Sequence, residues 1–164
     1  MALAIISAMN GCHPVATKIG ESAAPGFAAI GQPAPQFDLP SILGTSRITL
    51  TELKGHVAVL DFWAVWCGPC RESLRASETL HQRHPDISVI GIAVDDDQAG
   101  MRRIAKELNL SFPMVWDPSG ATSPYHVSAL PMACVLDRGS IIRYQHIGKL
   151  ENAAIENEVV GLLK

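Results

Sequence analysis

Apolar residues follow two different spacings along the chain, and together they predict alternating strands and helices. The segments 56–63 (HVAVLDFW) and 87–94 (ISVIGIAV) are almost continuously apolar, which is typical of central strands buried on both faces. The segments 70–84 and 95–110 instead repeat apolar residues at helical spacing. The first helix is expected to end before Pro85, and the second opens with three aspartates that suit a helix N-terminus.

The remaining segments complete an α/β pattern. Two short strands are predicted around a turn at Gly44, a short strand at 112–116, a hairpin at 131–148 and a last helix at 152–163. Strands alternate with helices until an antiparallel hairpin precedes the last helix. This order predicts a central mixed sheet with helices on both faces.

The first thirty residues differ from the rest. The start, MALAIISAMNGC, is apolar and uncharged, and it resembles the end of a secretory signal that is too short to span a bilayer. Its last four residues are similar to a bacterial lipobox, so Cys12 is a candidate for lipidation and for a membrane tether. A disordered tail with a spare thiol is the alternative. Residues 13–35 are rich in Pro, Gly and Ala, as linkers are.

We therefore expect a signal-like segment and linker at 1–30 and one domain at 31–164. The protein would be exported to a bacterial periplasm, or anchored to the membrane facing away from the cytoplasm. A formal net charge of −3 without a basic patch argues against nucleic acid as a partner, and we expect a monomer. The chain has four cysteines, too few for a small scaffold held together by disulfides.

Two of these cysteines, Cys67 and Cys70, stand three residues apart where a strand meets a helix. Residues at this spacing share a helix face, so the two sulfurs can form a disulfide. Pro69 is tolerated in a first helical turn, and the free N–H groups there favour thiolate over thiol. Cysteines so placed can have a pKa of about 3.5–7.5. Cys67 is therefore predicted to be the exposed nucleophile, and Cys70, which lies deeper, the resolving thiol.

Other uses of a Cys-x-x-C pair fit less well. Structural zinc would require two further ligands at similar spacing, and haem attachment would require histidine where Arg71 stands. We expect no metal site. A purely structural disulfide and a copper-delivery module that combines the pair with His81 and His84 remain as alternatives.

The stretch DFWAVWCGPC (61–70) resembles the active-site signature of thioredoxin. Across residues 31–164 the chain is similar to the exported TlpA/ResA-like branch of that superfamily, whose added hairpin and insertion match 37–53 and 94–127. The resemblance implies a thioredoxin-like α/β fold and a thiol–disulfide oxidoreductase whose only redox group is the Cys67–Cys70 disulfide, with no separate cofactor. The Gly68–Pro69 dipeptide favours the reductase direction. Implied partners are a membrane thiol donor and disulfide-bearing exported proteins such as apocytochrome c.

The resemblance also assigns roles around the cysteines. It implies a cis peptide bond before Pro131 and a backbone contact from Leu130 to the substrate. Because Trp66 directly precedes Cys67, we expect it to shield the sulfur, and a place in the core is the alternative. Asp61 matches the buried acid of thioredoxin, which would have a raised pKa and exchange a proton with Cys70.

One departure from the thioredoxin site and one alternative function qualify this picture. Thioredoxin pairs the acid with a lysine on the neighbouring strand, but Gly91 falls at about that place. An aspartate that is only structural is the alternative. A peroxidase of the peroxiredoxin group would require threonine three residues before its cysteine, where this chain has Ala64.

Overall fold

The computed structural model describes residues 28–150 and 152–164, and the sequence pattern accounts for its elements. Residues 1–27, which include Cys12, lie outside the described part of the chain. The strands are β1 (Asp38–Pro40), β2 (Arg47–Thr49), β3 (Val57–Trp63), β4 (Ile87–Ala93), β5 (Met114–Trp116), β6 (Met132–Leu136) and β7 (Ile142–Ile147). The helices are α1 (Cys70–Arg83), α2 (Gln98–Glu107) and α3 (Asn152–Leu163), with 3-10 helices at Leu50–Leu53 and Ser123–Tyr125.

Five strands form one mixed sheet in the order β5-β4-β3-β6-β7. The central strand β3 pairs in parallel with β4 and antiparallel with β6, and every one of its residues is buried. A separate two-stranded hairpin joins β1 to β2, as the sequence predicted around Gly44. The thioredoxin-like sheet and the N-terminal hairpin are therefore both confirmed.

The two faces of the sheet are covered differently. Apolar residues of α1, α2 and α3 pack on one face, in the cluster that contains Val59 and Trp63 of β3. The other face, with Leu60 and Phe62, is covered by the hairpin segment and by the two 3-10 helices. Right-handed crossovers explain the shared side of α1 and α2, because β3, β4 and β5 follow one another in the same direction across the sheet. Helical turns thus cover both faces, but within the part of the chain that the structure describes, those on the second face are 3-10 turns.

Helix α1 starts directly at the cysteine pair. Pro69 precedes it in helical conformation, and Leu74 and Leu80 anchor its inner side in the core. Its capping residue, His84, donates its backbone N–H to the Leu80 carbonyl and stands before Pro85, which cannot continue the helix. Among the helices in the described residues, none is both long and apolar enough to cross a bilayer.

Candidate functional site

The two cysteines form a disulfide at the start of α1, with their Cα atoms 5.3 Å apart. The buried strand β3 ends at Trp63, and a short loop leads to Cys67 at the edge of the sheet where the parallel strands end. Cys70 is the first residue of α1, and its backbone N–H donates to the Cys67 Sγ atom at 3.2 Å. An N–H group so placed stabilises negative charge on that sulfur once the disulfide is reduced.

Exposure differs between the two cysteines and their neighbours. Both cysteines are buried in the disulfide form, Cys70 fully and Cys67 with 5% of its surface exposed, so the prediction of an exposed Cys67 holds only relative to Cys70. Trp66, directly before Cys67, is 74% exposed. The indole of Trp66 therefore presents an exposed apolar surface beside the disulfide, whose two cysteines are themselves buried.

A groove of about 550 Å³ runs beside the disulfide. The peptide bond between Leu130 and Pro131 is cis, as the resemblance implied, and both residues line this groove. An ion pair between Lys149 Nζ and Glu72 Oε2, 2.5 Å apart, stands at its polar side, where the lysine lowers the pKa of Glu72. The rest of the lining consists of Gly68, Pro69 and Gly148. The sequence-predicted residues Gly68, Pro69, Leu130 and Pro131 are thus brought together.

Asp61 lies in the middle of β3, and its side chain is completely buried. Two serines of α1 donate to its carboxylate: Ser77 Oγ at 2.7 Å from Oδ2, and Ser73 Oγ at 3.3 Å from Oδ1 and 3.4 Å from Oδ2. Burial raises the pKa of Asp61 to about 7, although the two hydroxyls act in the opposite direction by stabilising the charged form. An acid with such a pKa both accepts and donates protons near neutral pH.

No lysine pairs with this acid among the described residues. The residues beside Asp61 in the sheet are Gly91 of β4 and Ala133 of β6, so Gly91 stands where the sequence comparison placed it. A Cβ atom at Gly91 would collide with Met114 Sδ and would come within 3.0 Å of Phe112 Cε2. Core side chains therefore fill the space that a lysine side chain would occupy.

A second carboxylate, Asp95, contacts the loop before Cys67. It follows β4, and its Oδ2 accepts the backbone N–H of Val65 at 2.5 Å. Its other oxygen, Oδ1, is buried without a hydrogen-bond partner. Desolvation raises the pKa of Asp95, and the neighbouring Asp97 and Asp96 act in the same direction, against the Val65 hydrogen bond. Asp95 thus ties the loop that carries Trp66 to the end of β4.

Sequence reasoning missed Ser73, Ser77 and Asp95. A signal existed for the serines, since they are four residues apart on the same helix face as Leu74 and Leu80, where apolar residues are expected. For Asp95 the signal was its place two residues after a buried strand, at the end of the sheet where β3 also ends.

The remaining described cysteine, Cys134, lies in β6 and is fully buried. Burial raises the pKa of its thiol to about 11, which disfavours the reactive thiolate. Within residues 28–150 and 152–164, no group of three or more His, Cys, Asp or Glu side chains is arranged to hold a metal ion.

Comparison with known proteins agrees with this arrangement. The chain is 30% identical to the "Thioredoxin-like protein YneN" of Bacillus subtilis over 133 residues, which are 79% of this chain and 78% of the relative. It is 26% identical over 130 residues to the "Thiol-disulfide oxidoreductase ResA" of Bacillus cereus, covering 77% of this chain and 75% of that protein.

Solved structures show the same fold. A proposed thiol:disulfide interchange protein DsbE of Chlorobium tepidum superposes with a TM-score of 0.78 at 27% identity, covering 84% of this chain and 99% of that one. A protein from Bacteroides thetaiotaomicron, described as a proposed protein disulfide isomerase, gives a TM-score of 0.75 at 26% identity over 83% of this chain and 91% of its own. The profile of the AhpC/TSA family matches residues 30–145, and the chain therefore belongs to the AhpC/TSA family, within a thioredoxin-like fold.

Proposed function

We propose that this thiol–disulfide oxidoreductase acts outside the cytoplasm and reduces disulfides of exported proteins. The observation that carries the proposal is the Cys67–Cys70 disulfide at the start of α1, beside the groove lined by Leu130 and Pro131. Relatives named thioredoxin-like protein and thiol-disulfide oxidoreductase support the activity itself. The redox group is the dithiol, and the reaction requires no other cofactor.

The reaction begins when the reduced enzyme meets a substrate disulfide. The Cys67 thiolate attacks one substrate sulfur, which forms a mixed disulfide and releases the other substrate sulfur as a thiolate. Cys70, as a thiolate, then attacks Cys67 Sγ and releases the second substrate sulfur. Two electrons have passed from the enzyme dithiol to the substrate, and the enzyme is left as the observed disulfide.

Cys70 must lose its proton before the second step, and Asp61 is the base for it. The carboxylate is buried on the same sheet face as α1, and its pKa of about 7 matches the working pH of a general base. When the dithiol is regenerated, Cys70 takes a proton back from Asp61 or from solvent.

The substrate strand would lie in the groove beside the cis peptide bond. Leu130 offers its backbone to the extended polypeptide, and the exposed Trp66 supplies an apolar contact on the other side of the sulfur. The Gly68–Pro69 dipeptide favours reduction over oxidation. The second partner is a membrane thiol donor that re-reduces the enzyme, and apocytochrome c is a representative substrate.

The location follows from the sequence of the N-terminal segment. We propose that residues 1–30 direct export and that Cys12 carries a lipid tether. One acyl chain binds membranes only marginally, so stable anchoring requires a second contact. Fractionation of cells that express the native full-length chain should recover the protein outside the cytoplasm, and recovery in the soluble cytoplasmic fraction would contradict the proposal.

A redox titration of the Cys67–Cys70 couple tests the direction of electron flow. We expect a potential nearer that of thioredoxin, about −270 mV, than that of the oxidant DsbA, about −120 mV. The reduced enzyme should also reduce insulin disulfides, and the Cys67→Ser variant should not. A potential close to that of DsbA would reverse the proposed direction. Rapid peroxide turnover without insulin reduction would instead indicate a peroxidase.

A further inference from the structure

Two buried hydroxyls bond to Asp61, but they stand at different distances from the cysteines along α1. Ser73 follows Cys70 by three residues, and residues three apart share a face of the helix. Ser77 lies one turn farther from the disulfide, and its hydroxyl bonds only to the Oδ2 atom of Asp61. Ser73 Oγ instead reaches both carboxylate oxygens, at 3.3 and 3.4 Å. Of the two, Ser73 alone lies one helical turn from the resolving thiol and also bonds to the acid.

Few other groups near Cys70 could take up the proton that its thiol must lose. Cys70, Ser73 and Ser77 are all fully buried, so bulk solvent does not contact them in this state. On the neighbouring strands the residues level with Asp61 are Gly91 and Ala133, which cannot carry a proton. The residues of α3 in the same cluster are apolar, chiefly Ile155 and Val159. Within the described residues, no charged side chain from these elements pairs with Asp61.

We propose that the Ser73 hydroxyl relays the proton between Cys70 and Asp61, whereas Ser77 only holds the carboxylate in place. This inference rests on the proposed function, because it concerns the step in which Cys70 resolves the mixed disulfide.

The step balances in atoms and charge. Ser73 Oγ accepts the proton from the Cys70 thiol while its own O–H proton passes to an oxygen of the Asp61 carboxylate. The Cys70 thiolate then forms a bond to Cys67 Sγ, and the bond from Cys67 to the substrate sulfur breaks. The substrate sulfur leaves with the electron pair and takes a proton from solvent. Ser73 ends as the neutral hydroxyl from which it began.

The test separates this step from any protein substrate. Reduced enzyme is mixed in a stopped-flow instrument with 5,5′-dithiobis(2-nitrobenzoate), which releases one coloured thiolate when Cys67 attacks and a second when Cys70 resolves. Ser73→Ala should leave the first phase unchanged and slow the second by about tenfold or more, as loss of acid–base assistance does. Ser77→Ala, the matched control, removes an equally buried hydroxyl and should slow the second phase less than Ser73→Ala does, only by the factor by which its raised Asp61 pKa depletes the carboxylate at pH 7.

Two further readouts would not respond to a merely structural hydroxyl. The first readout is the rate of the second phase measured in mixtures of H₂O and D₂O. In the wild type this rate should vary with deuterium content along a curve, because two protons move together. In Ser73→Ala it should vary along a straight line. The slow phase of Ser73→Ala should also rise with pH from 6 to 9, as solvent takes over removal of the Cys70 proton. The deuterium dependence of the wild-type rate tests the relay even if a variant fails to fold.

The relay is refuted if Ser73→Ala resolves at the wild-type rate, if both serine variants slow equally, or if the wild-type dependence on deuterium is linear. Failure of the proposed function would look different. If the second phase with the small reagent were normal but the enzyme reduced no protein disulfides, the proposed function would be rejected. The relay could still be tested in that case, because the small reagent does not depend on a protein substrate.

Discussion

Replacement of Asp61 by asparagine tests whether the buried acid has a raised pKa and acts as a base. The substitution keeps the shape of the side chain and removes its ionisable group. Folding raises the pKa of Asp61 from 3.8 to about 7, so the folded state disfavours the charged form. Below pH 3.8 the acid is neutral in both states, and its ionisation affects stability little. Between pH 3.8 and 7 the unfolded chain ionises first, so the free energy of unfolding falls as pH rises. Above pH 7 both states are charged and the loss levels off.

The magnitude follows from the shift. One pKa unit corresponds to about 1.36 kcal/mol, so the shift of Asp61 implies a loss of about 4 kcal/mol above pH 7. Between about pH 4.5 and 8.5 the wild type should lose about 3 kcal/mol of stability that Asp61→Asn keeps. The amide introduced by Asp61→Asn would still accept from and donate to the hydroxyls of Ser73 and Ser77, since each serine is both donor and acceptor.

The assay is urea unfolding of the oxidised protein at several pH values, for wild type, Asp61→Asn and Ser77→Ala. The asparagine variant should unfold at a higher urea concentration than wild type at pH 7 and yet resolve mixed disulfides more slowly. Ser77→Ala removes a hydrogen bond to the charged form, so its loss of stability should extend to higher pH than that of the wild type. Parallel stability curves for wild type and Asp61→Asn would refute the raised pKa. Lowered stability with unchanged kinetics would show that Asp61 is structural.

Four further predictions concern the surroundings of the disulfide. Cys67→Ser should abolish disulfide reduction, whereas Cys70→Ser should trap mixed disulfides visible on non-reducing gels; alkylation of Cys70 before Cys67 at pH 6 would reverse their roles. Gly91→Ala should destabilise the protein by about 1–3 kcal/mol in urea unfolding, because its Cβ collides with core side chains, and an unchanged midpoint would contradict that packing. Asp95→Ala removes the acceptor of the Val65 N–H and should slow the attack of Cys67 on 5,5′-dithiobis(2-nitrobenzoate). An unaltered first phase would show that the Asp95–Val65 hydrogen bond is not required for this attack. Cys134 should resist alkylation in the native protein at pH 8 and react on unfolding, since its thiol is buried and its pKa is raised; rapid native labelling would contradict this.

Much of the fold could be predicted because its two central parallel strands, β3 and β4, are nearly pure apolar runs. After His56, the segment 57–63 contains one carboxylate among apolar residues, and it forms β3, the fully buried central strand. The pair Cys67 and Cys70 was predictable for a related reason, since a short motif at a strand-to-helix junction fixes its own geometry. Local sequence determines both features, so no tertiary information was required.

The partners of Asp61 could not be predicted in the same way. Its hydrogen bonds to Ser73 and Ser77 join residues 12 and 16 positions away, and they depend on which face α1 turns towards β3. A serine on an otherwise apolar helix face can be a tolerated core residue or the partner of a buried acid, and the pattern alone does not distinguish the two. Similarly, the pattern predicted helices on both faces, but it did not show that α2 would pack beside α1 and leave only 3-10 turns for the second face.

The replacement of a lysine by two hydroxyls has a consequence for the chemistry. A lysine cation beside a buried carboxylate lowers the carboxylate pKa by Coulomb attraction, and it adds a second titrating group to the pair. Hydroxyls stabilise the anion more weakly and do not titrate, so the pKa of Asp61 stays close to neutral pH and the acid titrates alone. Near neutral pH the folded protein then holds both the carboxylate and the acid form of Asp61 in appreciable amounts. Under the proposed mechanism, the same site would therefore assist both the release of substrate, by taking the Cys70 proton, and the re-reduction of the disulfide, by returning it. The direction of net flow is left to the potential of the dithiol and to the donor that meets it.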